Sequence, residues 1–201
     1  MFGGINLMGK VHDFHTSLKL SHNSESLPLW GEIYAQAFPD MVGFHSHSED
    51  GDHQRLGIDR SVVLNTGKVI WIDEKIRGPD RQGRPYTDIA LEYLSSAESN
   101  TPGWICKPLL CDYIAYANPP LGKCYMLPVI QLQMAWVQKS QEWFSYASEK
   151  RRGFLIISAK NKTGTNEWTT KSLCVPTNTL FSAIGGCLRQ QITQITLALP
   201  E

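Results

Sequence analysis

The sequence predicts an α/β protein built on a central mixed β-sheet flanked by helices, and three observations carry that prediction. The first is a short amphipathic helix: SLPLWGEIYAQAFPD sets Leu29, Trp30, Ile33, Tyr34, Ala37 and Phe38 at helical spacing, with Pro28 near its start and Pro39 at its end. The second is a hairpin, because IDRSVVLNTGKVIWIDEKIR holds two β-rich runs broken by Asn65, Thr66 and Gly67. The third is the order that follows, in which strand-like and helix-like patterns continue down the chain.

The remaining elements are read in order. Between the first helix and the hairpin, HSHSEDGDHQRLG is polar and turn-rich, and after the hairpin Arg77 to Arg84 form a polar loop. YTDIALEYLSS alternates at Ile89, Leu91 and Tyr93, the pattern of a third strand. PGWICKPLLCDYIAYANPP reads as a turn, a short helix and a strand from Asp112 to Ala117. Tyr125 to Phe144 begins as a strand and becomes a helix with Ile130, Met134, Val137 and Phe144 on one face. GFLIISAK is a strand, and WTTKSLCVPTNTLFSAIGGCL gives a strand, a turn at Pro176 and a helix carrying Leu180, Ile184 and Cys187. No repeat, low-complexity tract or Gly/Ser linker interrupts this order, so one domain is expected over residues 1–201, its core spanning about 29–160.

Composition narrows the function. With 19 basic and 19 acidic side chains the formal net charge is zero, which excludes a globally basic nucleic-acid coat protein and leaves room for a local phosphate-binding surface. No apolar stretch is long enough to span a bilayer, and MFGGINLMGKVHDF lacks a basic start followed by an apolar core, so a soluble cytoplasmic protein is expected, with no membrane partner. The five cysteines are scattered and never spaced as CxxC, which argues for reduced, mostly buried thiols. No segment forms a phosphate loop or a dinucleotide fingerprint.

The chemistry gathers at Gly57-Ile58-Asp59 and, beyond the hairpin turn, at Asp73-Glu74-Lys75. Residues two apart on a strand share a face about 7 Å apart, so Asp73 and Lys75 project together and Glu74 points the other way. If the hairpin brings Asp59 alongside, two carboxylates and one ammonium converge, a set suited to a hard divalent cation such as Mg²⁺ or Mn²⁺. The matching reaction is phosphodiester hydrolysis: carboxylates hold a metal that acidifies water, and Lys75 orients that water and offsets charge in the transition state.

An acid, a hairpin turn and then (D/E)xK on the second strand resemble the signature of the PD-(D/E)XK nuclease superfamily, the restriction-endonuclease-like fold. Asp59 matches the first acid and Asp73-Glu74-Lys75 the second element, while Ile58 stands where the signature has proline. The resemblance runs over residues 29–117 in the order of elements and looks like the small nuclease-fold proteins of phages and prophages. It implies a Mg²⁺-dependent deoxyribonuclease, a hydrolase with Asp59 and Asp73 as metal ligands, Lys75 as the water-orienting residue, DNA as partner and a homodimer where both strands are cut. It also implies an intracellular setting in a bacterial or phage-infected cell. A different class stays open beside it: a catalytically inactive nuclease-fold module that binds a partner, such as host machinery acted on by a phage. A third is a structural protein with no site, which a wide separation of Asp59 and Asp73 would favour.

Further candidates surround this set. Glu32 lies on the first helix, where superfamily members often supply an extra metal-binding acid, although on a helical wheel it falls opposite the Leu29, Ile33, Ala37 stripe. Glu92 sits among apolar neighbours in ALEYL and needs a partner, which makes it a candidate to reach the site from the third strand. Arg77, Arg81 and Arg84 are candidate grips on the nucleic-acid backbone. Lys150, Arg151 and Arg152 fit better as a charge complement to a helix C-terminus, and Asp88 as a turn or capping residue. His45, His47 and His53 share a loop with Glu49, Asp50 and Asp52, a mixture able to bind a transition metal; lacking rigid ligand spacing, it reads first as a mobile acidic loop, from which Asp52 is the acid best placed to assist Asp59. Trp71 shares the parity of Asp73 and Lys75, so it either packs beneath the site or lines the cleft.

Overall fold

The computed structural model describes residues 11–13, 27–187 and 193–196. In chain order the elements are β1 (Val11–Asp13), α1 (Leu27–Ala37), β2 (Met41–Ser46), the single-turn α2 (Gly51–Arg55), β3 (Arg60–Leu64), β4 (Val69–Ile76), β5 (Asp88–Ser96) and β6 (Thr101–Pro102). After these come β7 (Tyr113–Asn118), a 3₁₀ turn at Pro119–Leu121, β8 (Lys123–Pro128), α3 (Val129–Ser148), β9 (Leu155–Thr163), β10 (Asn166–Pro176), α4 (Thr177–Cys187) and β11 (Thr193–Thr196). The protein is therefore mixed α/β, and its central sheet of six strands runs β11-β8-β7-β4-β3-β2 with β4 parallel to β7 and the other pairs antiparallel. A second, five-stranded sheet runs β1-β9-β10-β5-β6, a separation that strand patterns alone did not reveal.

The central sheet is covered on both faces. On one, α1 buries Trp30, Ile33 and Tyr34 against Val62, Ile70, Ile72, Ala115, Ala117 and Met126. On the other, Ile114 and Tyr116 of β7 and Leu127 of β8 pack with Ile89 and Leu91 of β5, Leu173 and Val175 of β10, and Leu132 and Trp136 of α3. Leu180 and Ile184 of α4 belong to the same core, so the last helix seals it. Burying side chains such as Leu132 and Ile184 stabilises the fold by about 1.5–3 kcal/mol each.

Three expectations need correction. No helix forms between Pro102 and Tyr113, where PGWICKPLLCD is a run of turns and irregular backbone. Helix α3 buries Val129, Leu132, Ala135, Trp136 and Trp143, whereas Ile130 and Val137 are 71% and 79% exposed and Met134 is also exposed. The helix is apolar on more than one face, and the stripe that packs is the one carrying the tryptophans. Finally, the polar stretch before the hairpin begins as strand β2, which pairs with β3. Among the described residues no helix is long and apolar enough to cross a membrane.

Candidate active site

The hairpin places the first acid at the mouth of β3. Its turn includes Gly67 at φ +80°, a conformation that suits glycine, and pairing from Val63 with Val69 to Arg60 with Ile72 sets Asp59 beside β4. Asp59 is then held at three points: its N–H donates to Ile72 O at 2.8 Å, its carbonyl accepts from His47 N at 2.9 Å, and Oδ2 accepts from Glu74 N at 2.8 Å. Just upstream, Gly57 takes φ +73° with Leu109 packed where a side chain would begin.

Strand parity sorts the Asp-Glu-Lys triplet as expected. Asp73 and Lys75 pair with Ile114 and Tyr116 of β7 and so face the larger core, while Glu74 pairs with Ala115 and faces α1. Glu74 is buried and accepts from Arg60 Nε at 2.7 Å and from the Tyr34 hydroxyl; burial raises its carboxyl above the ordinary range despite the Arg60 guanidinium. The middle residue of the triplet is thus a brace that ties β4 to β3 and α1. A buried carboxylate with a guanidinium and a phenol as partners is satisfied, and its loss would leave Arg60 uncompensated.

On the opposite face Asp73 is 4% exposed and ion-paired with Lys75 Nζ. Burial pushes its carboxyl up to about 7; the Lys75 ammonium opposes this, and the neighbouring Asp59 carboxylate, both by charge and by a hydrogen bond, reinforces it. Lys75 keeps 29% of its side chain in solvent. Burial alone would lower its ammonium, but Asp73, Asp59 and Glu92 outweigh that and hold it above the ordinary lysine range. Lys75 is a cation at neutral pH, not a base.

Glu92 enters from the second sheet. Along β5, Asp88 pairs with Arg77 at 3.0 Å, Ala90 N–H donates to the Tyr116 hydroxyl at 3.1 Å, and Glu92 lies within reach of the Lys75 charge. Burial raises the Glu92 carboxyl, with Lys75 and Lys107 acting against it. Lys107 was not singled out from sequence, because it lies in an irregular segment with no periodicity to place it. Its segment docks through Gly103, whose N–H donates to Tyr93 O at 2.9 Å. A Cβ at Gly103 would sit 2.2 Å from Glu92 O and 2.8 Å from its Cγ. Gly103→Ala is expected to destabilise the protein by about 1–3 kcal/mol, the usual cost of overpacking, and to move Glu92. Denaturant unfolding checks it, and an unchanged midpoint would contradict the close approach.

Asp59, Asp73, Lys75 and Glu92 are therefore one electrostatic group where the two sheets meet. Cys111 adjoins it, its thiol pushed up to about 12 by burial, with the Asp73 charge adding, which keeps it neutral. Trp71 is 38% exposed on the same face and so borders the site instead of packing beneath it. Two carboxylates share one ammonium as their close counter-charge, and their hard oxygens suit Mg²⁺ or Mn²⁺.

Other candidates fall elsewhere. Glu32 is exposed on α1, and α1 covers the Glu74 face of the sheet through Trp30, Ile33 and Tyr34, so Glu32 does not join Asp73. Arg77 is mostly buried, paired with Asp88 and seated 4.0 Å from the Tyr86 ring; it is an internal strut and not a free phosphate contact. Arg81 and Arg84 are exposed, Arg84 pairing with Asp80 at 2.8 Å. Asp52 pairs with Arg55 in solvent and does not assist Asp59. Asp88, read as a turn or cap, is the partner of Arg77. Among the described cysteines Cys111, Cys124 and Cys174 are buried and Cys106 is exposed.

The histidine loop is ordered around α2. Asp50 caps that turn, and its Oδ1 accepts from Asp52 N at 3.0 Å and His53 N at 3.2 Å. The rings of His47 and His53 stack with centroids 4.2 Å apart, and burial, followed by the neighbouring His53 and His45 rings, lowers the His47 imidazole below its ordinary range.

Comparison with family models, with curated proteins and with solved structures finds no match.

Proposed function

We propose that the chain is a metal-dependent nuclease of the restriction-endonuclease-like class that hydrolyses phosphodiester bonds of DNA. The single observation behind this reading is the convergence of Asp59, Asp73, Lys75 and Glu92, with Asp73 buried and its carboxyl at about 7. A buried carboxyl whose charged form the fold disfavours, set beside a second carboxylate, is poised for a cation, and Asp59 and Asp73 would hold Mg²⁺ or Mn²⁺. When bound, such an ion neutralises charge on the scissile phosphate and acidifies water.

The chain's own groups supply the rest. Lys75 holds the attacking water and offsets charge on the phosphoryl oxygens, fixed in its charged state by three carboxylates. Water oxygen bonds to phosphorus as the P–O bond to the leaving sugar breaks. The water proton passes to Glu92, whose raised carboxyl makes it the stronger acceptor, and solvent protonates the leaving oxygen. Arg81 and Arg84, exposed in the loop that follows β4, supply phosphate contacts, so binding should weaken as salt rises. Where both strands are cut, a homodimer is the simplest arrangement.

A second reading, an inactive module that binds a partner on the same scaffold, draws on the exposed Ile130, Met134 and Val137 of α3. Supercoiled plasmid and single-stranded DNA in Mg²⁺, Mn²⁺ or EDTA separate the two. Cutting that needs metal and falls about a hundredfold or more in Lys75→Ala is the expected result. No cutting under any condition, with no metal bound at Asp59 and Asp73, would replace it with the second reading.

A further inference from the structure

We propose a second, chemically distinct metal site, formed by His47, Asp50 and His53 and selective for a transition metal of the Zn²⁺ class. One ligand atom from each of the three lies within 4.8 Å of the others, a convergence made by backbone that is already in place. His47 follows directly on β2, Asp50 caps α2, and His53 stands on that same turn. The cap commits Asp50 Oδ1 to two backbone N–H groups and leaves Oδ2 facing His53, whose Nδ1 lies 2.7 Å away. Ser61 Oγ, 2.6 Å from His47 Nε2, fixes the second ring in the way that outer hydrogen bonds orient metal-ligating imidazoles.

The donor set decides the ion. Two imidazoles and one carboxylate suit Zn²⁺, Co²⁺ or Ni²⁺, while Mg²⁺ favours oxygen and would choose Asp59 and Asp73. Bonds of about 2.0–2.1 Å in a tetrahedron place ligand atoms roughly 3.4 Å apart, so with ligand atoms within 4.8 Å of one another the three residues need only side-chain adjustment, and the 2.7 Å hydrogen bond between Asp50 and His53 gives way to the ion. Three protein ligands leave a fourth position for water or another donor, and the His45 ring lies 5.1 Å from that of His47.

The backbone gives this site a consequence. His47 N–H donates to Asp59 O, and Ile58 N–H donates to His53 O at 3.0 Å, so the first acid and the residue before it are pinned to two of the ligands. An ion here would fasten the 47–58 segment and stiffen the placement of Asp59 without touching substrate. His47 and His53 are thus positioning residues, and the site stands whether or not the chain cuts DNA.

Protein freed of metal with a chelator and then titrated with Co²⁺ should bind one equivalent with the visible absorption of a four-coordinate ion, displaced by Zn²⁺ and not by Mg²⁺. Competition against a chromophoric zinc chelator should show zinc affinity falling about a hundredfold or more in His53→Gln and in His47→Ala. Asp73→Asn should leave zinc binding unchanged. Absence of the cobalt spectrum in the unaltered protein would overturn the proposal without any variant, as would equal zinc affinity in folded His53→Gln or loss of the zinc equivalent in Asp73→Asn.

Discussion

Asp73→Asn is expected to abolish metal-dependent cleavage and at the same time to make the metal-free protein more stable. The two effects have one origin. Burial raises the Asp73 carboxyl from the ordinary 3.8 to about 7, which means the fold disfavours its charged form. A raised carboxyl binds a proton more tightly in the folded state than in the unfolded one, so its contribution carries no penalty below about pH 4. Stability is then lost as pH rises toward 7, and the full penalty applies above that. At about 1.36 kcal/mol for each pH unit the ceiling is roughly 4 kcal/mol. The amide also deprives Lys75 of its nearest counter-charge, so the net gain at pH 8 should be about 1–3 kcal/mol. In a chain of this length that raises the melting temperature by about 2–4 °C per kcal/mol, with little change at pH 4.

Saturating Mg²⁺ should stabilise the unaltered protein by mass action, erasing the variant's advantage, and leave Asp73→Asn untouched. Loss of a metal that supplies about 4 kcal/mol to the transition state lowers cleavage about a thousandfold. Melting curves at pH 4 and pH 8, with and without Mg²⁺, together with plasmid cleavage, test all of this. A variant that melts lower at pH 8, or that still cuts, would refute the account.

How far the sequence could reveal this site follows from which parts of it are local. The hairpin is local: Gly67 makes the turn, alternation makes the strands, and period two then dictates that Asp73 and Lys75 share a face while Glu74 takes the other. Glu92 was legible from a different rule, that a carboxylate among apolar neighbours needs a partner, although only the tertiary structure shows the partner to be Lys75. The choices that required tertiary structure were less legible. Nothing local says that α1 lies on the Glu74 face, which removes Glu32 from the site. Arg77 reads like Arg84 in a polar loop, yet Asp88 and Tyr86 bury it. On α3 an apolar stripe through Ile130, Met134 and Val137 competes with one through Leu132, Trp136 and Trp143, and the larger aromatic surface is the one the core takes. His47, Asp50 and His53 have no rigid spacing in sequence; the capped turn of α2 and its stitching to Asp59 assemble them.

Glu74→Ala should be the most damaging single change to stability near the site, at about 3–5 kcal/mol, because it leaves the Arg60 guanidinium buried without its carboxylate. Tyr34 loses its acceptor as well, so the anchorage of α1 to β4 weakens with it. Asp73→Asn should behave in the opposite way because it relieves a buried charge, whereas Lys75→Ala strips Asp73 of its ion-pair partner and should also destabilise. Adjacent positions of one strand thus divide between holding the sheet together and doing chemistry, with the sign of the stability change reversing between Asp73 and Glu74. Urea unfolding of the three single variants at neutral pH measures this directly. The conservative Glu74→Gln, which keeps an acceptor for Arg60 and Tyr34 but no charge, should recover part of the loss. In the temperature range where Glu74→Ala remains folded, metal binding at Asp59 and Asp73 should persist, since the contact from this residue to Asp59 is made by its backbone N–H. Loss of metal binding in a folded Glu74→Ala or Glu74→Gln protein would show instead that the carboxylate of the middle residue belongs to the site.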